Sequence, residues 1–107
     1  MPTFYRVVRS DPPTETDFLS QQALGRRLRV DTPENRRIFG GVSVSDTEQA
    51  ARDLIAQWPQ LGQLIAVLDV PEDGAIRYEQ TTTTPSHYTL WGTPQELLAT
   101  VAAIVAP

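Results

Sequence analysis

Residues 41–57, GVSVSDTEQAARDLIAQ, change their hydrophobic period part-way along, and that change decides the fold class. In GVSVS, Val42 and Val44 fall on one side of an extended chain and Ser43 and Ser45 on the other, the alternation of a half-buried strand. SDTE follows at once, a capping-box sequence in which a hydroxyl and a glutamate three residues on satisfy free backbone N–H groups at a helix start. Over residues 47–57, Ala50, Ala51, Leu54 and Ile55 recur at helical spacing, and the pattern ends before Pro59. A strand that runs straight into an amphipathic helix excludes both an all-helical and an all-β chain.

Upstream, TFYRVVRS predicts a strand over residues 3–9, with Phe4, Arg6 and Val8 on one face and Tyr5, Val7 and Arg9 on the other. Pro12 and Pro13 stop it. Thr14 and Asp17 then have the spacing of a helix cap, which predicts a helix near residues 15–24 closed by Gly25. Between residues 25 and 40 periodicity is lost, and GRRLRVDTPENRRIFG reads as an exposed loop with at most one helical turn at Pro33 to Arg37.

Downstream, LIAVLDV at residues 64–70 is short, apolar and without alternation, which suits a central strand buried on both faces. Val44, Leu54, Ile65, Val67 and Leu68 are the expected core. PEDG turns the chain into a further strand near residues 75–80, and a threonine-rich connection leads to SHYTLWG. Thr93, Pro94 and Glu96 fit the cap, first and third positions of a helix, while VAAIV suits either its continuation or a last strand. The expectation is an α+β chain: one compact domain over residues 1–107, with a bent mixed or antiparallel sheet of about four to six strands and two or three helices.

Composition narrows the function classes. The chain has 107 residues, 40% apolar and 21% charged, the balance of one globular domain. With no cysteine and a single histidine, His87, disulfides and thiolate metal sites are excluded and no metal is expected, although carboxylate sites for Mg²⁺ or Ca²⁺ stay open. All nine basic residues are arginine, and the net charge of −4 argues against general nucleic-acid binding, which rests on neutralising many phosphates. No segment carries a signal-peptide pattern or enough apolar length to span a membrane, so the expected location is cytoplasmic.

Candidate site residues follow from placement. Arg6 lies on a strand face between Phe4 and Val8, where a guanidinium needs a partner; its fork suits a phosphate or carboxylate, but an internal ion pair or an edge position would also satisfy it. Ser43 and Ser45 stand on a strand that enters a helix N-terminus, a place for ribose or phosphate oxygens, or simply for outward serines beside a cap. His87 and Tyr88, with Trp91, suit either stacking on a ring or closing a core. Glu96 fits a catalytic carboxylate and equally a capping residue.

The strand FYRVVR, the segment after it and the glycine-led GVSVSDTEQAARD together resemble, over roughly residues 4–56, the front half of small ADP-ribosyltransferase-like domains of the RES type. The resemblance implies a split sheet with NAD in its cleft, Arg6 holding the pyrophosphate or ribose, and the Ser43 strand lining the nicotinamide side. It also implies catalytic carboxylates, matched here by Asp53, a shorter residue than the family's glutamate, and by Glu96. NAD or a related nucleotide is then the cofactor, bound only, or cleaved at the nicotinamide–ribose bond, or used as a donor of ADP-ribose. Arg6 and Ser43 should then present their side chains to one concave surface near Asp46. The competing reading is a non-catalytic module that binds a protein partner through the arginine-rich loop 26–37 and SHYTLWG.

Overall fold

The computed structural model describes residues 2–72, 74–81 and 85–106. They form a six-stranded antiparallel sheet with three α-helices and two short 3-10 turns, an α+β architecture. The strands are β1 (Thr3–Val8), β2 (Val42–Ser45), β3 (Leu64–Asp69), β4 (Arg77–Gln80), β5 (His87–Trp91) and β6 (Val101–Val105). Their order across the sheet is β4-β5-β2-β1-β3-β6, and every neighbouring pair is antiparallel. The helices are α1 (Pro33–Phe39), α2 (Glu48–Gln57) and α3 (Pro94–Ala99). No helix among the described residues is long and apolar enough to cross a membrane.

Both faces of the sheet are covered, which explains the lack of alternation in LIAVLDV. On one face Phe4, Val8, Val42, Val44, Ala66, Leu68 and Leu90 pack with Phe18, Ile76 and Leu97. On the other, Ile65 packs with Ala51 and Ile55 of α2, flanked by Tyr5, Val7 and Val105. Of the expected core, Val44, Ile65 and Leu68 are buried, whereas Leu54 and Val67 are only partly so. VAAIV is a strand at the sheet edge, paired with β3.

Three local expectations are corrected. Residues 15–24 form no α-helix but a 3-10 turn, Glu15–Phe18, because the Asp17 carbonyl that would carry the helix onward accepts from Arg6 Nε at 2.8 Å instead, and Leu19 is extended. The capping box of Thr14 and Asp17 is nonetheless present. The loop after Gly25 contains a seven-residue helix, α1, capped by Thr32 with Pro33 at its start. The cap of α2 is Thr47, whose hydroxyl accepts from Ala50 N, so Ser45 remains in its strand.

Candidate functional site

Four of the five strand pairings extend over four to six residues, but β1 and β2 are joined at one position, Tyr5 opposite Ser45. Beyond it the strands part and leave a cleft of about 680 Å³, bordered by Arg6, Val7 and Arg9 on one side and Gly41 to Val44 on the other. The end of α2 and the 3-10 turn after it (Pro59–Leu61) form one wall; the segment from Thr16 to Arg26 forms the other. Gly62 fixes the first wall against β1. Its φ is +152°, and a Cβ there would stand 2.3 Å from the Val8 carbonyl oxygen.

Arg6 spans the gap. Nε donates to the Asp17 carbonyl at 2.8 Å, Nη1 donates to the Ser43 carbonyl at 2.6 Å, and the guanidinium stands 5.9 Å from the Phe18 ring centroid. Desolvation pushes its pKa down to about 10 even though Asp17 raises it, so the cation persists at neutral pH in a poorly hydrated place. Among the described residues no buried side-chain nitrogen or oxygen lacks a partner, so Nη2 of Arg6, which bonds neither carbonyl, keeps contact with solvent, and Arg6 borders the cleft. A desolvated cation with free donors attracts an anion more strongly than the same group in open water.

Among the described residues Asp17 is the one carboxylate in the cleft walls, and its oxygens are occupied by Ser10 Oγ at 2.6 Å, Arg9 N at 3.0 Å and Thr14 N at 3.0 Å. Burial opposes its ionisation, but those hydrogen bonds and the Arg6 charge outweigh burial and hold its pKa below the usual value. A depressed folded pKa stabilises the protein above the unfolded value and loses that effect as pH falls through the folded one. The melting temperature of the wild type should therefore exceed that of Asp17→Asn at pH 6, with the difference shrinking below about pH 4. A difference that is constant down to pH 3 would contradict this.

Arg9 and Arg26 join Arg6 in the walls, giving a cationic cleft in a chain of net charge −4. Arg9 is held in place by the carbonyls of Gln60 at 2.8 Å and Leu61 at 3.3 Å. Apolar surface collects here too: of the five exposed large hydrophobic residues among those described, three, Leu24, Trp58 and Leu61, line this cleft. An apolar wall with a few convergent polar groups is the usual make-up of a small-molecule site.

The candidate residues divide. Arg6, Ser43 and His87 line the cleft, and Ser45 is buried beside its closed end. Because Tyr5 opposes Ser45, the side chains of Arg6 and Ser43 leave the sheet on opposite faces. The expected meeting of the two side chains on one surface is corrected: Arg6 meets the Ser43 carbonyl, and only the parting of the strands lets both residues border one cleft. His87 is partly buried, with Nδ1 3.3 Å from Thr81 Oγ1, and burial lowers its pKa, which leaves it neutral at pH 7. Tyr88 stands opposite Val44 on the core face, its ring 5.2 Å from that of Phe4. Asp53 is exposed on α2 and accepts from Gln49 Nε2. Glu96 accepts from Thr93 N at 2.8 Å and completes the cap of α3. Neither carboxylate lines the cleft.

Arg9, Trp58 and Leu61 were not singled out from sequence, and the hint for Trp58 was an aromatic residue just past the end of an amphipathic helix; Arg26 was named, but as part of the loop 26–37 of the competing reading. Arg37 of the arginine-rich loop and Trp91 of SHYTLWG, by contrast, satisfy each other. Arg37 pairs with Glu34 at 2.6 Å and Glu79 at 2.9 Å and lies over the Trp91 ring at 4.9 Å, while Trp91 Nε1 donates to the Arg37 carbonyl. Arg36 pairs with Asp31. Comparison with protein-family models, curated proteins and solved structures returns no match.

Proposed function

We propose that this domain binds NAD or a closely related nucleotide in the cleft between β1 and β2. The carrying observation is the Arg6 guanidinium: desolvated, fixed by two carbonyls, and with Nη2 left over beside a cleft that has arginines and an exposed tryptophan in its walls. Such a site suits a ligand that joins phosphate to planar rings. The ADP-ribosyltransferase resemblance implies Arg6 and Ser43 side chains on one surface, which their opposite faces do not give; what supports the reading is the parting of β1 from β2 beside Arg6.

The reading is one of binding. Cleavage of the nicotinamide–ribose bond develops positive charge on the ribose and calls for a carboxylate beside it. Asp53 and Glu96 stand outside the cleft, and the oxygens of Asp17 are already engaged. The protein-module reading is less well supported, since Arg36, Arg37 and Trp91 spend their polar groups on internal partners.

The test is thermal. Ligand that binds only the native state stabilises it by about 2.7 kcal/mol at a hundred times Kd, a shift of roughly ten degrees in a domain of this size. A rise of that kind with NAD supports the proposal, and an unchanged melting temperature in millimolar NAD overturns it.

A further inference from the structure

The cleft has a direction. Its closed end is the Tyr5–Ser45 pair, with His87 directly opposite Ser45 on the next strand. Arg6 follows, with the Ser43 carbonyl across the gap. At the open end stands Arg9, bound to Gln60 and Leu61 next to Trp58. From Tyr5 to Arg9 an extended chain advances about 13 Å, so a ligand anchored near Arg6 sends one half toward each end.

We propose that the open end takes the adenine half of the dinucleotide and that Trp58 is the surface on which adenine stacks. This rests on the binding reading above and adds the orientation of the ligand and the residue that recognises its base. Trp58 is 48% exposed, although a tryptophan of a folded domain usually buries most of its ring, and its neighbours in the cleft include the exposed Leu61. Its backbone is anchored, with N–H bonded to the Leu54 carbonyl at 2.7 Å and Pro59 following, so the ring is presented from a fixed support.

Charge and hydrogen bonding assign the halves. Arg9 at the open end, with Arg26 in the opposite wall, disfavours the cationic nicotinamide ring there and does not penalise neutral adenine. The nicotinamide carboxamide needs hydrogen-bonding partners, and His87, opposite Ser45, offers one at the closed end.

The experiment is calorimetric titration of the full chain with NAD, ADP and nicotinamide mononucleotide, accompanied by tryptophan fluorescence. Base stacking measured by alanine substitution corresponds to roughly a five- to 150-fold change in affinity. Trp58→Ala should weaken NAD and ADP by a factor in that range and leave nicotinamide mononucleotide unchanged, Trp58→Phe should retain most of the affinity, and NAD and ADP should quench the fluorescence of the wild type. The ring is exposed, so the folding of both variants is checked simply by their melting curves. NAD binding to Trp58→Ala at wild-type affinity, or an equal loss for nicotinamide mononucleotide and ADP, overturns the stacking assignment and leaves the nucleotide-binding proposal standing. No binding of any of the three ligands to the wild type overturns both.

Discussion

Leu68→Ala is expected to destabilise the protein by about 2–5 kcal/mol, measured by urea or thermal unfolding. Leu68 is fully buried on β3, opposite Phe4 of β1 on one side and Val101 of β6 on the other. It belongs to the larger core, to which β1, β2, β3 and β5 all contribute. Close packing leaves little for neighbours to slide into, so the cavity would remain largely open and add to the lost transfer free energy. Domains of this kind have about 5–15 kcal/mol in total, and the variant should therefore unfold at markedly lower temperature. A loss under about 1 kcal/mol would mean that β3 is not the buried centre of the sheet.

Arg6→Lys is expected to weaken NAD binding at least about tenfold and to lower stability by roughly 1–3 kcal/mol, although it keeps the charge. The guanidinium bonds two carbonyls in different directions, Asp17 in the turn after β1 and Ser43 across the cleft, and still has Nη2 left for the ligand. A single ammonium on a flexible stem cannot reproduce that fork. Loss of the Asp17 contact frees the wall that begins at Thr16, and loss of the Ser43 contact frees the edge of β2. Calorimetry with NAD and the melting temperature read the two effects separately. Full retention of both by Arg6→Lys would show that charge alone suffices and that the fork has no role.

What was legible in the sequence was local. GVSVS and LIAVLDV carry their strand signals within five to seven residues, and the Thr93–Glu96 box needs only its own backbone, so each was readable without knowledge of the rest. Residues 15–24 misled because Arg6 withdraws a carbonyl from a helix that would otherwise continue; the residue responsible lies 11 positions away. The cleft was less legible still. It depends on β1 and β2 meeting only at Tyr5 and Ser45, 40 positions apart in sequence, and on Gly62 bringing Trp58 and Leu61 against the end of β1. Strand parity alone puts Arg6 and Ser43 on opposite faces, so their sharing of a cleft could not follow from alternation within either strand. Arg6 was legible because a charge between two apolar residues on one strand face requires an explanation wherever the strand is placed.

The central claim is that a nucleotide occupies the gap between β1 and β2, and amide chemical-shift mapping during an NAD titration tests it most directly. The account predicts that the largest shifts fall on Arg6, Val7, Arg9, Ser43 and Trp58, while Arg77 to Glu79 and Thr93 to Glu96 stay still. Shifts concentrated on those last two segments, or none anywhere at saturating NAD, would contradict it.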